Sequence, residues 1–275
     1  MALLPPLRVR IRLFAMQREA AGTRELRLEV PLGATVEDAW AAAVEAVPAL
    51  APSRTALRFA VNGSYTDAAT PLADGDEIAC IPPVSGGDGT DGQDDDATDV
   101  DDGADPGDGD RAIRILEIRA EPFPPGLADE LAARLATVED GALVTFLGRT
   151  RVTPGTPAPG QEAEAERHAG ARVEGLEYEA FDPMAIAILG TIADEIDTRW
   201  SVRRLAIVHR TGAVPPGEPS VLVVAAAAHR DAAFEAARYA IDETKARAPI
   251  WKAERFADGR VWIGEPARTS APDAP

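Results

Sequence analysis

Lysine is almost missing from this 275-residue chain: two of its 28 basic residues are lysine, Lys245 and Lys252, and all the others are arginine. Cysteine occurs once, at Cys80, which excludes an internal disulfide and a cysteine-built metal cluster. The three histidines, His168, His209 and His229, show no metal-ligand spacing. No apolar run approaches the roughly 20 residues needed to span a membrane. The opening Met1-Ala-Leu-Leu-Pro-Pro6 lacks the apolar core of a signal peptide, so a cytoplasmic protein is expected. There is no glycine-rich phosphate loop, dinucleotide fingerprint or Ser-His-Asp pattern either.

What is abundant is aspartate, and in one place. The net charge is −18, but eleven aspartates and no basic residue lie between Asp88 and Asp110. Removing them leaves −18 + 11 = −7 for the rest, so nucleic-acid binding has no global electrostatic support. That Gly/Asp stretch has almost nothing to bury and is read as a disordered linker over 88–110. It divides the chain into a module over 1–87 and a second over 111–265, with a flexible tail over 266–275.

In the first module, Leu7-Arg-Val-Arg-Ile-Arg-Leu-Phe14 and Glu25-Leu-Arg-Leu-Glu-Val30 alternate as half-exposed strands. Thr35-Val-Glu-Asp38 carries a capping-box pattern and opens an alanine-rich helix to about Val47. Further strands are read at Leu57–Val61, ending at the turn Asn62-Gly63, and at Glu77–Ile81. The order ββαββ, closed by Gly86-Gly87, resembles a ubiquitin-like β-grasp domain. The second module reads as α+β, with strands at 112–118, 142–147, 173–180, 204–208, 220–228, 250–256 and 261–263. Its helices are placed at 127–136, at 182–200 with Asp182 as N-cap, and at 231–246 with Asp231 as N-cap. Phe234, Ile241 and Ala248, joined by Ala237, make the expected core stripe of the last of these.

The two lysines stand seven residues apart across Pro249, and two placed at random would fall this close roughly one time in twenty. Lysine can lose its proton when desolvated and act as base or nucleophile, which arginine cannot. Lys245 falls at the edge of the apolar stripe; Lys252, on a strand, shares a face with Ile250 and Glu254. Both ammonium groups then reach one spot. A lysine complementing a helix end, with the other on a solvated strand, would give the same spacing. Arg149, Arg151, His209-Arg210 and His229-Arg230 follow strand ends and suggest an anion pocket, although each pair alone also reads as an ordinary strand terminus. Gly86-Gly87 reads either as a flexible tail able to enter a narrow channel or as the start of the linker.

Five ordered motifs carry a family resemblance: Phe146-Leu-Gly-Arg-Thr-Arg151, Leu176-Glu-Tyr-Glu179, Ile207-Val-His-Arg-Thr-Gly212, Ala228-His-Arg-Asp-Ala-Ala-Phe-Glu235 and Lys245-Ala-Arg-Ala-Pro-Ile-Trp-Lys-Ala-Glu254. The second module resembles the large, catalytic subunit of molybdopterin synthase, and the first its small, β-grasp sulfur-carrier subunit. The resemblance implies sulfur transfer from a thiocarboxylate on the last glycine, Gly87, to cyclic pyranopterin monophosphate, forming the dithiolene of molybdopterin. It implies Lys245 and Lys252 as catalytic residues and Arg149, Arg151, His229, Arg230 and Glu254 as substrate-binding ones. No tightly bound cofactor, an ATP-dependent activating enzyme as partner, and a homodimer through the second module are implied as well. Two departures stand out. Residues 152–172 hold a Pro/Gly/Glu-rich insertion, and Gly87 is peptide-bonded, so a thiocarboxylate there requires cleavage after Gly87. A non-catalytic ubiquitin-like interaction protein, or a catalytic module served by a separate carrier, are the alternatives.

Overall fold

The computed structural model describes residues 5–84, 112–155 and 166–263. Gly86-Gly87, the aspartate-rich 88–110 stretch, residues 156–165 of the insertion and the 266–275 tail lie outside the described residues. The first module carries β1 (Leu7–Leu13), α1 (Ala15–Ala21), β2 (Glu25–Val30), α2 (Val36–Ala46), a 3-10 helix (Pro48–Ala56), β3 (Arg58–Val61), β4 (Ser64–Thr66) and β5 (Glu77–Ile81). The sheet order is β2-β1-β5-β3-β4, with β1 and β5 parallel at its centre. The expected strands and helix are present; α1, the 3-10 helix and β4 are additions. The Thr35 cap forms as a reciprocal capping box: Thr35 Oγ1 accepts the Asp38 N–H, and Asp38 accepts the Thr35 N–H at 2.8 Å. Asn62 and Gly63 both take positive φ and turn β3 into β4, the geometry for which Asn-Gly is suited.

β5 shows why this sheet is a middle layer. Strand side chains alternate faces, and here both faces are covered. Ile78 and Cys80 join the cluster beneath α2 with Val9, Ile11, Trp40 and Phe59. Ala79 and Ile81 instead join Phe14, Ala60 and Val84 against Phe181, Met184, Trp251, Ala253 and Trp262 of the second module.

The second module carries β6 (Ile113–Arg119), α3 (Leu127–Leu135), β7 (Ala142–Arg149), β8 (Gly175–Ala180), α4 (Asp182–Trp200), β9 (Arg204–Arg210), β10 (Gly212–Val214), β11 (Pro219–Ala227), α5 (Arg230–Arg247), β12 (Ile250–Phe256) and β13 (Gly259–Ile263). One sheet runs β6-β9-β11-β7 and the other β10-β8-β12-β13. In β11, Val221, Val223 and Ala225 face α4 and α5, whereas Leu222, Val224 and Ala226 face α3. That two-sided burial explains the uninterrupted apolar run of this strand. Among the described residues no helix is long and apolar enough to cross a membrane.

Three local expectations are corrected. Phe181, not Asp182, is the N-cap of α4; Asp182 lies in the first turn ahead of Pro183. His229, with extended φ −128° and ψ 142°, caps α5, and Asp231 falls within the first helical turn. An acid in a first turn still complements the helix dipole, which is why the composition signal was displaced rather than absent. Phe234 is 62% exposed instead of buried. The buried stripe of α5 runs through Ala233, Ala236, Ala237, Ala240, Ile241 and Thr244. Alanines let the helix axis approach the sheet closely, and a phenylalanine on that line would hold it away.

The modules meet through specific contacts. Phe14 stacks on Trp251 with ring centroids 4.7 Å apart, and Trp251 Nε1 donates to the Pro82 carbonyl at 3.0 Å. Ala15 adopts φ +45°, unusual for a residue with a Cβ, and donates its N–H to buried Glu179 at 3.1 Å. Arg18 and Arg24 reach the same carboxylate at 3.3 and 3.5 Å.

Candidate active site

Pro249 sets the site up. The residue before a proline is driven out of the helical region, and Ala248 accordingly ends α5 with φ −67° and ψ 133°. The chain reverses directly into β12, which carries Lys252 back past Lys245. The last turn of α5 is pinned from behind: Arg247 donates to Glu195 at 2.7 and 3.0 Å, and Tyr239 donates to the same carboxylate at 2.9 Å.

On β12 the alternation separates two tasks. Trp251 and Ala253 face the first module, while Ile250, Lys252 and Glu254 line a cavity of about 410 Å³. Arg149 and Arg151 at the end of β7, His209 of β9, Tyr178 of β8, Ser220 of β11 and Lys245 line the same space. Both lysines, both arginines and Glu254, taken from the sequence as one site, are therefore brought together. His229 and Arg230 are not among its lining: they lie at the opposite end of α5, 15 residues or about 22 Å from Lys245 along the helix. Both are exposed, and Arg230 ion-pairs with Asp231 at 3.7 Å. Gly87 lies outside the described residues.

The electrostatics distinguish the two lysines. Burial pushes the Lys252 pKa down; Glu254 opposes that shift, and the charges of Lys245 and Arg151 add to it. Desolvating an ammonium favours its neutral form, as a proton-transferring or nucleophilic amine requires. Lys245 is exposed at the cavity mouth. Arg149 is held by the Gly217 carbonyl, to which its Nε donates at 2.7 Å. Glu254, 5% exposed, accepts the Gly155 N–H at 2.9 Å, so the start of the insertion reaches into the site. A Cβ at Gly155 would stand 3.0 Å from Glu254 Oε1 and 3.7 Å from Lys252 Nζ, which leaves little room for any other residue.

Two groups in the wall, Tyr178 and Ser220, were not singled out from the sequence; His209, read there with Arg210 as an anion-pocket candidate, also lines it. Tyr178 Oη and Ser220 Oγ share a hydrogen bond at 3.3 Å. His209 is buried, edge-on to Tyr178 with centroids 4.9 Å apart, and its Nδ1 lies 2.8 Å from the Arg210 carbonyl. The apolar run before His209 carried the signal: extending its alternation puts His209 on the same face as Leu205 and Ile207, under α5.

Residues 120–247 match the family model described as MoaE protein, and residues 11–87 match the ThiS family. The molybdopterin synthase catalytic subunit of Bacillus subtilis is 40% identical over 133 residues, covering 48% of this chain and 76% of that relative. Its counterpart in Oryza sativa subsp. indica is 47% identical over 122 residues, 44% of this chain and 56% of the rice protein. Among solved structures, molybdopterin synthase from Staphylococcus aureus superposes with a TM-score of 0.46 at 34% identity, over 54% of this chain and 96% of that one.

Proposed function

This chain belongs to the molybdopterin synthase catalytic-subunit family, enzymes of molybdenum-cofactor biosynthesis, and on that basis we propose that its cavity transfers sulfur to cyclic pyranopterin monophosphate. The donor is a thiocarboxylate on Gly87 of the first module, made by an ATP-dependent activating enzyme. Sulfur leaves the glycine acyl carbon for the pterin, and water oxygen restores the carboxylate. Two such deliveries complete one dithiolene.

The observation that carries this reading is the convergence of the two lysines on one cavity, from a helix end and a strand, with the ammonium form of Lys252 disfavoured by burial. Lys252 serves as the proton-transferring or nucleophilic amine and Lys245 as its partner at the mouth. Arg149 and Arg151 hold the phosphate, which suits arginine's fixed charge and forked donors. Glu254 keeps Lys252 in place and offers an acceptor to substrate N–H groups. No tightly bound cofactor is invoked.

The docked module supports the delivery. Val84, its last described residue, packs in the cluster that contains Trp251, next to Lys252 in sequence. Three further residues extend at most about 10 Å, enough to cross one strand. Cleavage after Gly87 would free the required carboxyl. A homodimer through the second module is part of the same reading: Leu143, Phe146, Leu147 and Phe234 are exposed apolar side chains there. In such a dimer His229 and Arg230 would serve the partner's cavity rather than their own.

The test is turnover of the pterin by carrier thiocarboxylated at Gly87, comparing wild type with Lys245→Arg and Lys252→Arg. Both variants keep the charge, so a binding role predicts near-normal behaviour, whereas the proposed chemistry predicts a loss of at least about 100-fold for Lys252→Arg. Intact-mass analysis of protein from its native host checks the cleavage: full activity with only uncleaved chain would refute it.

A further inference from the structure

The cavity wall contains a hydrogen-bonding group that the lysine and arginine chemistry does not use. His209 Nδ1 lies 2.8 Å from the Arg210 carbonyl oxygen, which can only accept. Nδ1 therefore carries the ring proton, and Nε2 is left as a bare acceptor. Among the described residues the only hydrogen-bond partner of this side chain is that carbonyl, and the ring lines the cavity. The imidazole is also held in place: Tyr178 packs edge-on against it, Tyr178 is tied in turn to Ser220, and Val221 pairs directly with His209 across the strands.

The environment keeps this acceptor uncharged. Burial pushes the His209 pKa down to about 4; the Arg210 carbonyl resists the shift and the Lys245 ammonium adds to it. Tyr178, the other titratable group packed on the ring, is itself pushed up by burial and is neutral near pH 7. A group titrating so far below neutrality is a poor general base, because an effective one has a pKa near the working pH. It is also a poor phosphate ligand, because it carries no charge. What it can do is accept a hydrogen bond from a donor placed in the cavity. A buried site built to pair with a donor strongly rejects analogues that lack it.

We infer that His209 is a substrate-binding residue of this cavity, its Nε2 accepting a hydrogen bond from an N–H or O–H of the bound heterocycle while Arg149 and Arg151 hold the phosphate. This deepens the sulfur-transfer reading and rests on it. The consequence is orientational: the cavity offers a cationic grip for the phosphate and a neutral acceptor for the heterocycle, so the two ends of the pterin phosphate are distinguished.

The experiment uses the full chain as wild type, His209→Asn and His209→Gln. Asparagine keeps a donor near the Nδ1 position but has nothing at Nε2, whereas glutamine can place its carbonyl oxygen there. Binding of cyclic pyranopterin monophosphate is measured by calorimetry, with inorganic phosphate as a second ligand. His209→Asn should weaken the pterin about 10- to 100-fold, the loss expected when a buried partner is left unpaired. His209→Gln should stay within about fivefold, and phosphate affinity should be unchanged in both. Wild-type affinity in His209→Asn, equal losses in both variants, or a parallel loss of phosphate binding would each overturn the assignment. Nitrogen NMR of the ligand-free chain gives a substrate-independent check: a protonated Nε2 between pH 6 and 8 also overturns it. If wild type binds the pterin as described but never turns it over with thiocarboxylated carrier, the sulfur-transfer reading fails and the His209 contact stands.

Discussion

Lowering the pH from 8 to 5 should cost the folded state about 2 kcal/mol through His209 alone. In the folded chain this imidazole stays neutral until about pH 4, because it is buried beside Lys245. In the unfolded chain it takes up a proton near pH 6.5. Between those values the unfolded state binds more protons, so the stabilisation is fully present above pH 6.5 and is lost as the pH falls toward 4. At pH 5 the protonated form outweighs the neutral one by about one and a half decades in the unfolded chain, whereas in the folded chain the neutral form still predominates. At 1.36 kcal/mol per decade that gives the figure above. The assay is urea unfolding of wild type and His209→Gln at pH 8 and pH 5, followed by circular dichroism. Carboxylate titration affects both proteins alike and cancels in the difference of differences. Glutamine does not titrate, so wild type should lose about 2 kcal/mol more than the variant on acidification. Equal losses would refute the placement of a neutral, buried imidazole at this position.

Lys252→Met should abolish sulfur transfer yet raise the melting temperature, since it removes a half-buried ammonium whose charged form is disfavoured by desolvation; scanning calorimetry reads it, and a lowered midpoint would contradict the burial argument. Gly148→Ala should destabilise the second module by about 1–3 kcal/mol and weaken phosphate binding. A Cβ there would stand 2.5 Å from Val221 Cγ1, so β7 and the Arg149 that follows must shift. Glu179→Ala should undock the two modules, because it leaves the Ala15 N–H and the Arg18 guanidinium without their acceptor. Trp251 fluorescence should then become solvent-like while each module keeps its own secondary structure, and an unchanged Trp251 spectrum would count against the contact.

How much was readable in advance depended on how local the cause was. The Thr35 capping box and the Asn62-Gly63 turn are set by neighbours three or four residues apart, and both form as expected. The meeting of the two lysines at one cavity was also legible, because a proline between helix and strand fixes the geometry on either side within seven residues. The Phe234 stripe misled because hydrophobic periodicity does not reveal how near a helix lies to its sheet; the run of alanines on the adjacent line was the better signal. The sequence offers His209 either as part of an anion pocket or as an ordinary strand terminus, whereas the alternation of its own strand places it under α5 as a buried, neutral group. The contact surface between the modules joins Phe14 to Trp251 and Ala15 to Glu179. Each of those residues has an unremarkable local context, so no window of sequence could have paired them.

Ala60 and Ala79 lie within that surface, at 0% and 1% exposure. Their small size answers to the second module rather than to the first module's own core, which lies on the other face of the sheet. A larger aliphatic residue at either position would leave the isolated module folded and would obstruct docking. Selection at these two sites therefore acts on a partnership. A mutational scan scored by the first module's stability alone would pass them as tolerant, and the same scan scored by cofactor synthesis would mark them as constrained.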